Sequence, residues 1–192
     1  MKRILTGSLL SLFALCAHAG DGSSIKEPSA AQMFVVKATE DGMTEVELGK
    51  LAQSRSRDDA VKAFAAKMVA DHTKANAELA TIAKRAGLEV PDQLDGAHNT
   101  ILHAVGTKPA SEFDAEYGRR MLEAHDAAVT LFTDAAALRE KEIADFAKKT
   151  LPTLHKHQQL AASLPAKRPA PAGGESGAAA AATSAADVPA AQ

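Results

Sequence analysis

Four stretches of this chain place small or apolar residues at alternating spacings of four and three, and each stretch carries an ionisable residue in the same series. The first runs Phe34, Ala38, Asp41, Glu45, Leu48, Ala52, and the second Val61, Ala65, Met68, His72, Ala75, Leu79, Ile82, Ala86. The third is Tyr117, Met121, His125, Ala128, Phe132, Ala135, and the fourth Ile143, Ala147, Thr150, Leu154, His157, Ala161. Residues three and four apart share one face of an α-helix. A seam of that period is the geometry of a left-handed helix bundle. No stretch sustains a two-residue alternation rich in β-branched residues, so strands are not expected. The expectation is an all-α protein, an up-down four-helix bundle.

The punctuation agrees with four helices. Ser29-x-x-Gln32 is a capping-box pattern, and Ser56-x-x-Asp59 and Ser111-x-x-Asp114 repeat its spacing. Gly87 follows the second seam as a C-terminal stop. The links between the first two and the last two helices are short, which makes those pairs antiparallel. The middle link, residues 88–110, is long and contains Pro91, Gly96, Gly106 and Pro109. It is expected to be a crossover with a short helix over residues 97–105, the connection that ferritin-like bundles use. Pro152 falls inside the fourth helix, where its missing donor and its ring predict a kink.

The ends of the chain read differently. Met1-Lys2-Arg3, an apolar run over residues 4–17 and Ala17-His18-Ala19 make a secretory signal peptide over residues 1–19, too short to span a bilayer. Cys16, the single cysteine, lies within it, and Leu15 before it disfavours lipidation. The mature chain then has no thiol, which excludes disulfides, thiol redox chemistry and zinc-thiolate modules. Residues 20–30 read as a linker, 31–164 as the bundle, and 165–192, rich in Ala, Pro and Gly, as a disordered tail. The expected location is the periplasm, free or attached to the envelope, with no transmembrane span in the mature chain. The formal charge is -2 and falls to -4 when Lys2 and Arg3 leave with the leader, and aromatics are only 4%. Both facts argue against nucleic acid as a partner.

The chemistry lies in a doubled pattern, Phe64-x-x-x-Met68-x-x-x-His72 and Tyr117-x-x-x-Met121-x-x-x-His125. Each copy stacks an aromatic, a thioether and an imidazole on one helix face. With His157 and Glu45 on the other two seams, the four helices bring one ionisable group each toward a common interior. A buried carboxylate requires a partner, so Glu45 must pair. Two readings fit. The four residues form a polar network that fixes the register of the bundle. Alternatively, Glu45, His72, His125 and His157, with Met68 and Met121 nearby, hold a transition metal, copper or iron. Asp71 and Asp126 point off the seams and read as surface charges. His98 and His103 fall in the crossover and read as solvated, and His155 sits on a flank. The Glu-x-x-His signature of di-iron bundles is absent, because Val69 and Leu122 stand three residues before His72 and His125. No nucleophile elbow or phosphate loop occurs.

Gly42-Met43-x-Glu45-Val46-Glu47-Leu48-Gly49, followed by Val61-Lys62-x-Phe64-Ala65-x-x-Met68-Val69-x-Asp71-His72-x-x-x-Asn76, resembles the bacterial family of domain of unknown function 4142. Phe113-Asp114-x-x-Tyr117-x-x-x-Met121 with His125, and Thr150-Leu151-Pro152-x-Leu154-x-x-His157, continue the resemblance. It implies an exported ferritin-like fold and brings no settled activity. The Met-x-x-x-His helices are also similar to domain of unknown function 305, whose motif has paired histidines where this chain has Asp71-His72 and Ala124-His125. Ala124 also departs from the first family, which usually has an aspartate there. The function expected is that of a non-enzymatic envelope or stress-related structural or interaction protein, with an envelope protein or a second copy as partner. The alternative is a periplasmic copper or iron binding or storage protein using the same residues.

Overall fold

The computed structural model describes residues 27–164. The expected leader over residues 1–19, most of the linker and the tail over 165–192 lie outside the described residues. Five helices follow in order: α1 (Ala30–Arg55), α2 (Asp59–Arg85), α3 (Gly96–Gly106), α4 (Ala110–Ala135) and α5 (Lys141–Ala162). The expected all-α class holds, and the expected short crossover helix is α3. Among the described residues no helix is long and apolar enough to cross a membrane.

Helix ends follow local chemistry, with two departures from the sequence reading. Ser29 caps α1 as expected, its hydroxyl accepting from the Gln32 N–H at 3.1 Å. The start of α2 is set instead by Asp58, whose carboxylate accepts from Ala60 N and Val61 N. Ser56 is the C-cap of α1, and its hydroxyl accepts from the Asp58 N–H, so three residues serve two helix ends. Ser111 does not cap α4. The helix starts behind Pro109 with no side-chain cap, since the fixed φ of proline, here -55°, already aims the chain into a helical turn. Gly87, at φ +70°, ends α2 as expected. Leu88 N bonds to Ala83 O and Gly87 N to Lys84 O, which satisfies two carbonyls the helix leaves open. Pro152 lies inside α5 on its exposed face, where a missing donor meets water.

α1 packs most extensively on α2, and α4 on α5. Arg85, at the end of α2, pairs with Glu142 at the start of α5 (3.1 Å), so these two helices also run antiparallel. Arg55 lies 4.5 Å above the Phe113 ring, bringing the end of α1 to the start of α4. The same guanidinium donates to the carbonyls of Gly106 and Lys108 (2.6 Å to the latter), fastening the end of the crossover helix. At the other end, the Gln32 side chain exchanges two hydrogen bonds of 2.9 Å with the Glu89 backbone. Two hairpins, α1–α2 and α4–α5, are thus joined by a crossover that is tied at both ends.

The interior divides into two apolar clusters. One holds Phe34, Leu79, Ile82, Phe132, Ile143, Phe146 and Leu154 among others, with Phe34 and Phe132 edge to face at 5.0 Å. The second holds Leu48, Val61, Phe64, Met68, Phe113, Tyr117 and Met121, so both methionines lie in apolar packing. On every long helix one buried ionisable residue separates the two clusters: Glu45, His72, His125 and His157. The seam positions differ from expectation chiefly at Ala86, which is the exposed C-cap of α2.

The α1–α2 contact is close because Gly42 and Gly49 lie two turns apart on the face that carries Glu45. A methyl group at Gly49 would stand 2.9 Å from Val69 Cγ2 and 3.0 Å from the Ala65 carbonyl oxygen. At Gly118 the nearest atom would be 3.4 Å away. The same substitution should therefore act in opposite directions. Gly49→Ala should lower stability by about 1–2 kcal/mol through overpacking. Gly118→Ala should raise it by a few tenths to about 1 kcal/mol through helix propensity. Urea denaturation of both variants checks the pair.

Candidate functional site

Each ionisable residue of the dividing layer is delivered by the seam of its own helix. Glu45 projects from α1 between Gly42 and Gly49, and at 3% exposure it is almost fully shielded from bulk water. Such a carboxylate survives only if positive or hydrogen-bonding groups meet it. His72 of α2 does so, with Nδ1 at 3.0 Å from Glu45 Oε2, and His125 Nδ1 of α4 lies 3.5 Å from Oε1. The shorter contact is the bond. His125 Nδ1 already donates to the Met121 carbonyl at 2.7 Å, so Oε1 has no hydrogen-bond partner among the described residues. His157 of α5 donates from Nε2 to Asp71 Oδ2 at 2.9 Å.

Asp71 is the participant that sequence reasoning missed. It does not behave as a free surface charge. It is about one-third exposed, is held by Lys67 at 2.7 Å, and its carboxylate crosses from α2 to α5 to reach His157. The signal available was its place beside a seam histidine, one residue around the helix and so directed toward the neighbouring helix. His98 is a second correction. It belongs to the first turn of α3, with Nδ1 2.7 Å from Asp95 and Nε2 3.1 Å from Asp41. His103 and His155 are exposed, and Asp126 accepts a 2.7 Å bond from Gln158.

The three imidazoles stand with ring centroids 5.3 to 5.6 Å apart. They can each offer a nitrogen such that all three lie within 4.8 Å of one another. One nitrogen of every ring is tied to an oxygen: His72 to Glu45, His125 to the Met121 carbonyl, His157 to Asp71. The other nitrogens, His72 Nε2, His125 Nε2 and His157 Nδ1, are buried without a hydrogen-bond partner among the described residues. Glu45 stands behind His72 and is not one of the three converging groups. A cavity of about 30 Å³ borders Glu45, His72 and His157, lined otherwise by residues such as Leu79, Phe132, Phe146 and Leu154. It is large enough for a water molecule or an ion.

The layer splits the basicity of its members. Burial works against a charged His72, but the Glu45 carboxylate beside it outweighs this and raises its pKa above 6.5. Burial likewise opposes the charge on Glu45, and His72, with His125 and His157, overcomes it and holds the carboxyl below its usual range. For His157, burial and the neighbouring histidines outweigh the Asp71 bond, and its pKa falls to about 4. Tyr117, buried and near Glu45, is pushed well above its usual value, which keeps it a neutral phenol.

These opposed shifts predict how the protein responds to pH. A histidine held neutral by the fold contributes stability that is complete above its unfolded pKa and lost as pH falls. For His157 the window runs from 6.5 down to about 4. His72 has the opposite sign: its contribution is present below 6.5 and is lost as pH rises through its raised value. The thermal midpoint should decline on both sides of neutrality. His157→Gln should flatten the acid limb and Glu45→Gln the alkaline limb. Melting curves across pH measure both slopes, and parallel curves in all three proteins would contradict the assignment.

The known proteins that this chain resembles agree with the architecture. A crystal structure of a DUF305 fragment from Deinococcus radiodurans superposes with a TM-score of 0.62 at 15% sequence identity, covering 70% of this chain and 94% of that one. The likeness concerns the fold. No curated protein matches the sequence. The family described as a domain of unknown function, DUF4142, matches residues 17–164, which include all five helices and the entire ionisable layer. The chain belongs to the DUF4142 family.

Proposed function

We propose that this protein is exported and binds one transition metal ion, without catalysing a reaction, on His72 Nε2, His125 Nε2 and His157 Nδ1. The observation that carries the reading is the pairing of roles on each ring: one nitrogen fixed by an oxygen acceptor and the other buried without a partner among the described residues, on three rings that can each offer a nitrogen within 4.8 Å of the others. Imidazoles that ligate metals are oriented in this way, by a carboxylate or a carbonyl on the opposite nitrogen. Glu45 and Asp71 then act through His72 and His157 and supply the charge that offsets the cation. Three imidazoles with no carboxylate among the ligands suit copper or zinc better than the oxygen-rich chemistry of iron. Ligand nitrogens about 2 Å from an ion lie roughly 3.3 Å apart, so binding would draw the rings inward. Met68 and Met121, one turn away, serve as packing around the centre. The leader expected at residues 1–19 supports delivery to the periplasm, where a binding or storage role for such an ion is placed.

A second reading rests on a separate observation: Glu45–His72 joins α1 to α2, and Asp71–His157 joins α2 to α5. Those bonds suit a scaffold that acts through its surface on an envelope partner or a second copy.

Calorimetric titration separates the two. Metal-free protein should take up one equivalent of Cu²⁺ or Zn²⁺. His72→Ala with His125→Ala should abolish tight binding, and Glu45→Gln or Asp71→Asn should weaken it by about 10- to 100-fold. Absence of tight binding, or binding indifferent to the double substitution, would leave the scaffold reading in its place.

A further inference from the structure

Glu45 Oε1 is buried without a hydrogen-bond partner among the described residues, and Glu45 does not border the histidine cavity alone. Glu45 also forms part of the wall of a cleft of about 220 Å³ between α1, α3 and α4. Asp41, His98, Arg120 and Glu123 line this cleft with Thr44, Ala124 and Met121. Glu45 and Asp41 also border the small cavity beside His72 and His157. The buried carboxylate thus stands as a partition, with the cleft on one side and the imidazoles on the other.

Beside the cleft, Glu40, Asp95 and His98 offer ligand atoms that all lie within 4.8 Å of one another, and of these three His98 belongs to the cleft wall. Asp41 holds the other nitrogen of His98 at 3.1 Å. The positive charge of Arg120 is met by Glu116 and Glu123 at 3.2 and 3.7 Å. The opposite opening has the other sign. The groove between α2 and α5 also reaches toward the histidine cavity, through Asp71, Thr150 and Thr153, but Lys74 and Lys149 line it and Lys67 sits on Asp71. Glu78 offsets Lys149 and Asp71 offsets Lys67, which leaves Lys74 to repel an approaching cation.

We propose that metal ions reach the three-histidine centre through the α1/α3/α4 cleft, docking first on Glu40, Asp95 and His98 and then passing across Glu45 Oε1 to the imidazoles. This rests on the metal-binding reading above and adds a path and a second, transient site to it. A carboxylate with one oxygen bonded to His72 and one left free suits a transfer group. It can hold a cation from the cleft side without giving up the bond that orients the ligand behind it.

A path differs from a ligand in kinetics. It alters association and dissociation together and leaves equilibrium affinity alone. Stopped-flow mixing of metal-free protein with Cu²⁺, followed by ligand-field absorbance, reads the association rate. Glu40→Gln with Asp95→Asn, which keeps an Asn able to cap α3, should slow association about ten-fold at low ionic strength, an effect that salt should erase. Ala124→Phe, which fills the cleft without touching a charge, should slow it comparably at any salt concentration. In both variants the equilibrium affinity should stay within about two-fold of the original, at a tenfold scale of about 1.4 kcal/mol. Lys74→Glu, in the opposite groove, should leave the rate within about two-fold. Wild-type association in the first two variants, or a rate increase in Lys74→Glu alone, would overturn the path while leaving the histidine centre standing. A protein that takes up no Cu²⁺ at all would remove both.

Discussion

The structure is organised around a single carboxylate in the middle of a helix bundle. Glu45 is almost fully buried, and an unpaired charge there would cost several kcal/mol. Everything near it answers that requirement. Gly42 and Gly49 let α2 approach α1 closely on the face that carries Glu45, so that His72 Nδ1 arrives at 3.0 Å. His125 comes within 3.5 Å from α4. Asp71, beside His72, reaches outward to His157 and draws α5 into the same layer. A shift of one helix by a turn would set Glu45 against apolar side chains and strand the histidines, so the layer fixes the mutual register of all four long helices.

The two apolar clusters on either side could form in many similar packings, because Leu, Phe and Met side chains interchange at modest cost. Directional bonds do not interchange in this way. Burial of an ion pair in place of apolar residues seldom adds net stability, and its better-attested contribution is specificity of arrangement. The division here is consistent with that: apolar clusters supply the driving force, and a polar layer between them selects one alignment. The crossover is fastened independently at its ends, by Gln32 on Glu89 and by Arg55 on Gly106 and Lys108.

What could be read from the sequence and what could not divides along the reach of the interactions. Glu45, His72, His125 and His157 were legible because each lies in register with apolar residues three and four away, and helical geometry alone puts them inside. Asp71 was not, since its role depends on His157, 86 residues distant, and on how two helices face each other. His98 was misjudged for a related reason. A short helix needs no long periodic pattern, and the carboxylates that hold His98 come from Asp95 in its own cap and from Asp41 across on α1. The caps went wrong where two candidates competed. Asp58 took the start of α2 because Ser56 was already closing α1, and Pro109 made a hydroxyl cap at Ser111 unnecessary. Gly87 could be read because its left-handed φ serves one local purpose.

Register alone does not account for the chemistry of the layer. A network that only aligns helices is most stable when every polar atom in it is bonded, since each buried orphan costs about 1–3 kcal/mol. Here one nitrogen on each of three histidines is left without a partner among the described residues, on rings that can each offer a nitrogen within 4.8 Å of the others. Asparagine or glutamine could have supplied the same crossing bonds without titrating, and leucine could have filled the volume. Imidazole adds a second nitrogen whose direction is fixed once the first is bonded. Glu45, the Met121 carbonyl and Asp71 each fix one ring. The burial that makes the free nitrogens costly also excludes water that would compete for an ion placed there. On the metal-binding reading proposed above, the same oxygens that hold the helices in register would also aim the ligands, so alignment and binding would be two results of one set of bonds.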